Sequence, residues 1–473
     1  MEKPTIILAT SNGVGMGHLA RASAIALALK EYANPIIVSM AGGIAEIPEF
    51  MGIRCEYIPG RDRMWMSREK WDEYLRDRLL ALVDETGARV MSFDGVVPYP
   101  GVIAAKVSHP KLALVWVRRG LWQKKPQRFV LGLQSQMMDY IVEPGDFARA
   151  YDFGPTAERK DARVTSSVSL FQKDTALPRD EARAVLGLDP NRPAVLVQLG
   201  TGDSDVNEKM TAALSGLLGW KDLQVILTKQ PLDKDGKSLA PVGLDIRVVR
   251  HFPLARVLHA FDASVCATGY NGVHELLPAH VPTVFVSNIR GTDDQEARAQ
   301  WCHDMGFALR ANQADLGDIT ATVRKLQDAE VRTRLSKKCA ELPDPTGGAE
   351  IAKILYELAV REEPIRPSWL RYNQLRIQEH INRGMRHVAY MGLRRLALVY
   401  RFINPHIVVQ VTRQEPPIWG SQNTAKELHP LIKGEQRFEH LITGASDAYI
   451  KRRKEIAEAA YGEKIEVINT KKQ

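Results

Sequence analysis

Cysteine is scarce in this chain: there are four in 473 residues, Cys55, Cys266, Cys302 and Cys339, far apart and without a CxxC pair. That spacing offers no disulfide framework and no thiolate metal knuckle, and it reads as reduced, mostly buried thiols of a cytosolic protein. Long apolar runs are missing as well. No stretch approaches the ~18 uncharged apolar residues that a spanning helix needs. The opening run, Thr5-Ile6-Ile7-Leu8-Ala9, is too short for the apolar region of a signal peptide. The sequence holds no HExxH and no Cys/His spacing of a metal site, and no GxSxG of a serine hydrolase. Internal repeats and low-complexity tracts are also absent. What is there is ordinary globular material, 45% hydrophobic and 25% charged, enough for sizeable cores and, at about 150 residues per domain, for about three domains' worth of chain. Lys and Arg number 64 against 56 for Asp and Glu, a formal net charge of +8. A surplus of that kind bears on partners through where it sits.

The first ~170 residues alternate short apolar runs with helical patterns. Strands are expected at Thr5–Ala9, Pro35–Ser39, Val90–Phe93, Leu112–Val117 and Tyr140–Val142, with an Ala/Leu/Ile-rich helix from His18 to Lys30. A Pro- and charge-rich connector, 173–193, leads into a second series: Ala194–Leu199, Leu223–Thr228, Ile246–Val249, Ala263–Cys266 and Thr283–Val286. Strands alternating with helices signal parallel sheets covered on both faces. The expected architecture is two doubly wound α/β domains, 1–172 and 194–362, with helix Gly348–Arg361 closing the second, followed by a mainly helical extension from 363 to 473.

Three strand ends carry glycine turns. Strand one runs into Ser11-Asn12-Gly13-Val14-Gly15-Met16-Gly17-His18. A dinucleotide fingerprint would require a third glycine where His18 stands and an acidic end to the second strand, which instead ends at Ser39; a P-loop would require Gly-Lys-Ser/Thr. The second series adds Gly200-Thr201-Gly202 and Thr268-Gly269-Tyr270-Asn271-Gly272. Both lie at carboxyl ends of strands, where open α/β sheets bind ligands and backbone amides approach phosphates closely.

These pieces in this order, Gly15-Met16-Gly17-His18, Gly200-Thr201-Gly202, His251-Phe252, Thr268-Gly269-Tyr270-Asn271-Gly272-Val273-His274-Glu275 and Asp294-Gln295-Glu296-Ala297-Arg298-Ala299, resemble the GT-B glycosyltransferases. They look like the family-28 and family-1 nucleotide-sugar enzymes, and in pattern most like the lipid II-forming N-acetylglucosaminyltransferases. The resemblance covers about three quarters of the chain. It implies two Rossmann-like domains with a cleft between them, an acceptor domain first and a UDP-sugar domain second, no metal cofactor, and transfer with inversion to a hydroxyl of a lipid-linked or cell-envelope glycan. By the same resemblance Gly200, Thr201, Thr268, Gly269 and Asn271 meet the diphosphate, Glu275 the ribose hydroxyls, Phe252 the uracil edge, and Asp294 with Gln295 the donor sugar. Gly15 and Gly17 form the acceptor-side loop. The family's DQxxNA is DQxxRA here; Arg298 in place of Asn could admit an acidic or otherwise unusual sugar.

His18 matches the family's base position, and imidazole suits the task because its pKa lies near neutrality. A helix N-terminus disfavours imidazolium. Asp94, ending the Val90–Phe93 run, is placed to orient the ring or to cap a helix. Asp203-Ser204-Asp205 reads as a loop or N-cap, not a metal-binding DxD. Arg61-Asp62-Arg63-Met64-Trp65-Met66 and Arg118-Arg119-Gly120-Leu121-Trp122-Gln123-Lys124-Lys125 set cations beside aromatics, which suits an anionic amphiphile or a solvated loop.

The charge surplus sits late. Residues 366–402 hold eight arginines and one acid, Glu379, among Trp369, Leu370, Leu375, Ile377, Ile381 and further apolar residues. Such a segment lies on an anionic membrane surface, packs on the core with a basic face outward, oligomerises, or binds an acidic partner; nucleic acid is not expected. The tail continues through a strand-like 407–411 and a charged helix near Ser446–Tyr461. Two alternatives to transfer remain: a nucleotide-sugar 2-epimerase of the same fold, and a non-catalytic scaffold recruiting a partner through the basic tail. Localisation is expected to be cytoplasmic or peripheral on the inner membrane face.

Overall fold

In the computed structural model, the residues described are 3–11, 16–40, 51–58, 60–61, 66, 68–123, 135–200, 204–228, 240–249, 251–288, 292–363, 369–370, 372–377, 381, 438–440, 445–462 and 466–468. The strand-like 407–411 and most of 366–402 lie outside them.

The first unit runs β1 (Thr5–Thr10), α1 (Gly17–Leu29), β2 (Asn34–Ser39), β3 (Arg54–Tyr57), α2 (Arg68–Thr86), β4 (Val90–Asp94), α3 (Pro100–Ser108), β5 (Ala113–Val117), β6 (Tyr140–Glu143) and β7 (Arg163–Val164). Its strands form one parallel sheet in the order β3-β2-β1-β4-β5-β6-β7. Alternate side chains feed two cores. Ile6, Leu8, Val115 and Val117 face α1, while Ile7, Ala9, Met91, Phe93, Leu114 and Trp116 face α2 and α3. Burial on both faces explains why these strands read as unbroken apolar runs.

The second unit contains α4 (Arg179–Val185), β8 (Ala194–Gln198), α5 (Ser204–Leu217), β9 (Gln224–Leu227), β10 (Asp245–Val248), β11 (Ala263–Ala267), α6 (Tyr270–Leu276), β12 (Thr283–Val286), α7 (Gln295–Asp304), β13 (Leu309–Ala311), α8 (Leu316–Arg324) and α9 (Ala329–Cys339). Its parallel sheet has the order β10-β9-β8-β11-β12-β13. In each sheet the order reverses beside the first strand, between β1 and β4 and between β8 and β11. These are the switch points at whose carboxyl ends a crevice opens.

The next helix, α10 (Gly347–Ala359), does not close the second sheet as its position in the chain suggests. It crosses back to the first unit. Gly347 N–H donates to Ser167 O at 2.9 Å, in a contact with Ser166 too close for any Cβ. Ile351 and Leu355 share a core with Leu19, Ile25 and Leu29 of α1, and Tyr356 meets Tyr32 edge-on at 4.9 Å. The amphipathic face of α10 fits the apolar side of α1, and an apolar stripe carries no address for one sheet over another.

Part of the extension also packs on the first unit. Leu375 is buried in the α2/α3 core, and Tyr372 Oη donates to Val107 O at 3.3 Å. Helix α11 (Asp447–Tyr461), expected from sequence, is capped by Ser446 and ended by Gly462 in a left-handed conformation. It lies on α2, with Tyr449, Ala457 and Ala460 in the core. Tyr449 Oη donates to Glu56 Oε2 at 2.5 Å, and Glu56 also accepts from Arg54 at 2.8 Å and pairs with Arg78 at 3.4 Å. Burial works against the Glu56 carboxylate, but Arg453, Arg78 and Arg54 prevail and hold its pKa low. A short parallel pair, β14 (Phe438–His440) with β15 (Glu466–Ile468), completes the described tail. Tyr449→Phe is expected to cost about 2 kcal/mol through one charge-assisted hydrogen bond. Glu56→Gln should cost about 3 kcal/mol or more, because it strands buried guanidinium groups. Urea unfolding of the full chain measures both.

Candidate active site between the two sheets

At the carboxyl edge of the first sheet, β1 and β4 lie side by side with Thr10 opposite Asp94. Asp94 is buried and held twice by Arg21: Nε donates to Oδ2 at 2.9 Å and Nη2 to Oδ1 at 2.6 Å. His18, at the start of α1, sets Nδ1 at 2.7 Å from Asp94 Oδ1. Arg21 Nη2 also lies 2.9 Å from that nitrogen. A carboxylate flanked by a guanidinium only accepts, so Nδ1 carries the proton and donates. Nε2 is then the basic nitrogen, on a side chain 18% exposed. Burial is the largest influence on His18 and lowers its pKa, outweighing Asp94, while Arg21 and Arg119 push the same way as burial. The ring is therefore neutral, as the sequence suggests, though for burial before any helix effect. Burial raises Asp94, but Arg21 and the His18 contact prevail and keep it ionised.

The facing wall belongs to the second sheet. Gly200 turns the chain after β8 at φ +86°; Thr201, like Gly15, lies outside the described residues. Thr268 follows β11, buried, its hydroxyl 3.3 Å from that of Ser287. Gly269 is the N-cap of α6. Asn271 crosses the cleft: Nδ2 donates to Gly17 O at 3.1 Å, while Oδ1 is buried with no partner among the described residues. Glu275 follows one turn later. Burial, with no counter-charge, pushes its carboxyl up to about 8. Phe252 is buried, joined to Pro253 by a cis peptide.

The Asp-Gln pair is occupied locally. Asp294 caps α7, Oδ1 accepting from Ala297 N–H at 3.0 Å; Oδ2 has no partner among the described residues. Gln295 is buried, its Oε1 accepting from Asn288 N–H at 2.9 Å and Nε2 donating to Asp293 Oδ2 at 3.3 Å. Arg298 corrects the expectation of an acidic-sugar residue. Its guanidinium is fully buried: Nε donates to Asp146 at 3.0 Å, Nη2 to Asp293 at 3.0 Å and Nη1 to Thr268 O at 2.8 Å. It joins the two units instead of facing a substrate.

Several residues of this cleft were given no role by the sequence, Tyr270 and His274 among them although they lie inside a quoted motif. Asp146 reaches Arg298 from the first unit. Tyr270 Oη donates to Gly145 O at 2.7 Å and accepts from Val168 N–H at 2.9 Å. His274 Nε2 accepts from Phe147 N–H at 3.1 Å, and burial lowers its pKa to about 4. Arg119 lies 3.5 Å from Asp293. Arg21 is named by no motif either, but its spacing of one helical turn after His18, which puts both on one face, is a signal that could have found it. For Asp293 and Arg119, each half of a doubled residue, sequence does not say which member turns inward.

No protein-family model matches the chain. Several curated relatives, among them those of Nocardioides sp. and Rhodococcus opacus, carry the name UDP-N-acetylglucosamine--N-acetylmuramyl-(pentapeptide) pyrophosphoryl-undecaprenol N-acetylglucosamine transferase. That of Nocardioides sp. (strain ATCC BAA-499 / JS614) is 31% identical over 196 residues, 40% of this chain and 53% of that protein, so the match spans about half its length. That of Rhodococcus opacus (strain B4) is 24% identical over 396 residues, covering 76% of this chain and 98% of that protein. Among solved structures, a glycosyltransferase from Rickettsia africae ESF-5 superposes with a TM-score of 0.53 at 11% identity, covering 77% of this chain and all of that one (100%). The chain has the two-domain GT-B fold, and its sequence is similar to that of curated pyrophosphoryl-undecaprenol N-acetylglucosamine transferases.

Proposed function

We propose that this protein is an inverting glycosyltransferase that moves a sugar from a UDP-sugar donor, N-acetylglucosamine first among them, to a hydroxyl of a lipid-linked or cell-envelope glycan acceptor. The observation that carries the reading is the His18–Asp94 pair, set at the switch point of one sheet and facing the glycine turns of the other and Glu275, whose carboxyl has no partner among the described residues. The names of the curated relatives supply the donor and acceptor classes.

His18 Nε2 takes the proton of the acceptor hydroxyl as its oxygen attacks the anomeric carbon from the face opposite UDP. The bond from that carbon to the diphosphate oxygen breaks, and its electron pair leaves on UDP. Asp94 stabilises the imidazolium that forms, and Arg21 keeps Asp94 charged. On the second domain, backbone amides at the Gly200 and Gly269 turns, with Thr201, the Thr268 hydroxyl and Asn271, meet the developing diphosphate charge, so the reading routes no step through a metal. Glu275 accepts the ribose hydroxyls, Phe252 backs the base, and the free oxygen of Asp294 meets a sugar hydroxyl, with Gln295 holding that loop in shape. The protein works at the cytoplasmic side of a membrane, where 366–402 docks on anionic lipid. In that segment Trp369, Leu370, Ile377 and Ile381 are exposed, and the same stretch holds eight arginines. Among the described residues no helix is long and apolar enough to cross a membrane.

UDP release from UDP-N-acetylglucosamine with a lipid-linked acceptor tests the reading. The expected product is free UDP with the transferred sugar, and an epimerised sugar nucleotide would replace the reading by its nearest rival. His18→Gln should lower kcat by roughly 10²–10⁴-fold, and an unchanged kcat would remove the base assignment. The acid limb of kcat/KM should fall below the ordinary histidine value, since His18 works unprotonated and its pKa is lowered.

Glu275 gives a pH signature without turnover. Its folded-state pKa, about 8, lies above the ordinary 4.5, so the stability tied to its proton is complete below 4.5 and is lost as pH rises towards 8. Thermal melts of the ligand-free protein should show Glu275→Gln matching wild type near pH 5 and melting several degrees higher at pH 8. A parallel pH dependence of the two proteins would refute the assignment. For the membrane, flotation with anionic phospholipid vesicles should be lost when Trp369 and Leu370 are replaced by Ser and be retained by wild type; equal flotation would count against docking through this segment.

A further inference from the structure

Two consecutive arginines at the end of β5 turn opposite ways. Arg118 turns into the first domain, fully buried, with Nη2 at 2.8 Å from Asp161 and 3.6 Å from Glu143. Arg119 turns towards the cleft. Its ion pair there, Nη1 to Asp293 Oδ2, is stretched to 3.5 Å, and Arg298 already holds the other oxygen of that carboxylate at 3.0 Å. Arg119 Nε is buried and has no hydrogen-bond partner among the described residues. Its charge is felt at His18.

The turn that carries Arg119 is held from several sides. Leu121 has φ +56°, a conformation non-glycine residues rarely keep unless the surroundings impose it. Here Leu121 N–H donates to Asp152 Oδ2 at 2.9 Å, and Trp122 Nε1 donates to Arg119 O at 2.7 Å. Gly154 packs so closely on Trp122 O that no Cβ fits. The chain then bridges to the second domain, Gln123 N–H donating to Thr292 O and Asp294 N–H to Leu121 O, each at 3.0 Å.

A guanidinium fixed in this way, with an unused donor and a loose ion pair, is short of an oxyanion acceptor: its planar fork matches a phosphate or carboxylate, which a lone 3.5 Å contact does not satisfy. We infer that Arg119 binds a phosphate-type oxyanion on the acceptor side of the cleft, beside the hydroxyl that His18 activates. The side follows from placement. Arg119 belongs to the first domain and neighbours His18, whereas the donor diphosphate is assigned to the glycine turns of the second. Nucleophile and leaving group stand on opposite faces of the anomeric carbon, so a cation beside the base lies away from the departing diphosphate. The inference rests on the glycosyl-transfer reading for naming the two sides; that an oxyanion is bound rests on the side chain itself.

Inorganic pyrophosphate, titrated calorimetrically into the full chain with the donor side filled by UDP, is the test. Wild type should bind pyrophosphate, Arg119→Gln at least tenfold more weakly, and Arg119→Lys in between, with UDP affinity kept within twofold in all three as the sign of an intact second domain. Equal pyrophosphate affinity in wild type and Arg119→Gln, no pyrophosphate binding by UDP-loaded wild type, or a loss confined to UDP affinity would each overturn the inference, the last by placing Arg119 at the donor phosphate. UDP affinity in the same titrations bears separately on the donor reading: if no variant binds UDP, that reading and the naming of the two sides fail, and the pyrophosphate comparison still decides whether Arg119 binds an oxyanion.

Discussion

The buried guanidinium of Arg298 fixes how the two halves of this protein meet. It draws Asp146 from one domain and Asp293 from the other onto a single cation, and ties both to the Thr268 carbonyl. Burying such ions costs about as much as their attraction returns, so the cluster contributes little net stability. What it contributes is direction. Carboxylates and a planar fork satisfy one another in few orientations, and the orientation chosen sets Gly17 against Asn271 and brings the His18 edge opposite the Glu275 edge. Tyr270 and His274 reinforce the same alignment with neutral hydrogen bonds, which suit a dry interface.

Within that frame two carboxylates are driven apart in character. Asp94 sits against Arg21 and is held in its charged form; Glu275 is half-buried, has no cation beside it among the described residues, and its carboxyl is pushed up to about 8. The first is already satisfied and holds the His18 imidazole in place. The second has bonding capacity in reserve, which the proposed function gives to ligand hydroxyls. Environments that push two acids in opposite directions are how one cleft separates proton handling from binding.

Much of the fold was legible because parallel strands buried on both faces are continuous apolar runs, as nine of the ten expected strands are; the tenth, edge strand β10, is only partly buried and was legible through Ile246 and Val248. The short edge strands β3, Arg-Cys-Glu-Tyr, and β13, Leu-Arg-Ala, were not, since their burial is partial and their composition polar. The docking of α10 depended on a partner more than 300 residues earlier in sequence, which periodicity does not encode. The site divides the same way. His18 and Asp94 follow from strand ends and loop spacing. Arg298, judged against a motif, read as a sugar contact, because its real partner, Asp146, lies 152 residues away. Helix α11 was visible as a charged amphipathic stretch, but Glu56, on which its Tyr449 closes, was not.

The cleft's own charges come close to cancelling. Arg21, Arg119 and Arg298 face Asp94, Asp146 and Asp293, and a balanced dry cluster offers an entering diphosphate no net attraction. Binding must therefore come from groups not fully committed: the amides of the glycine turns, and whichever cation is least firmly held. Arg21 and Arg298 are each gripped at 3.0 Å or less. Arg119 is not, at 3.5 Å from a carboxylate it shares. An oxyanion beside it would draw the guanidinium from Asp293 while leaving Asp293 on Arg298, so the domain lock survives substrate entry. The cation that binds and the cation that locks are thereby different residues on opposite domains, which lets the cleft accept charge without coming apart.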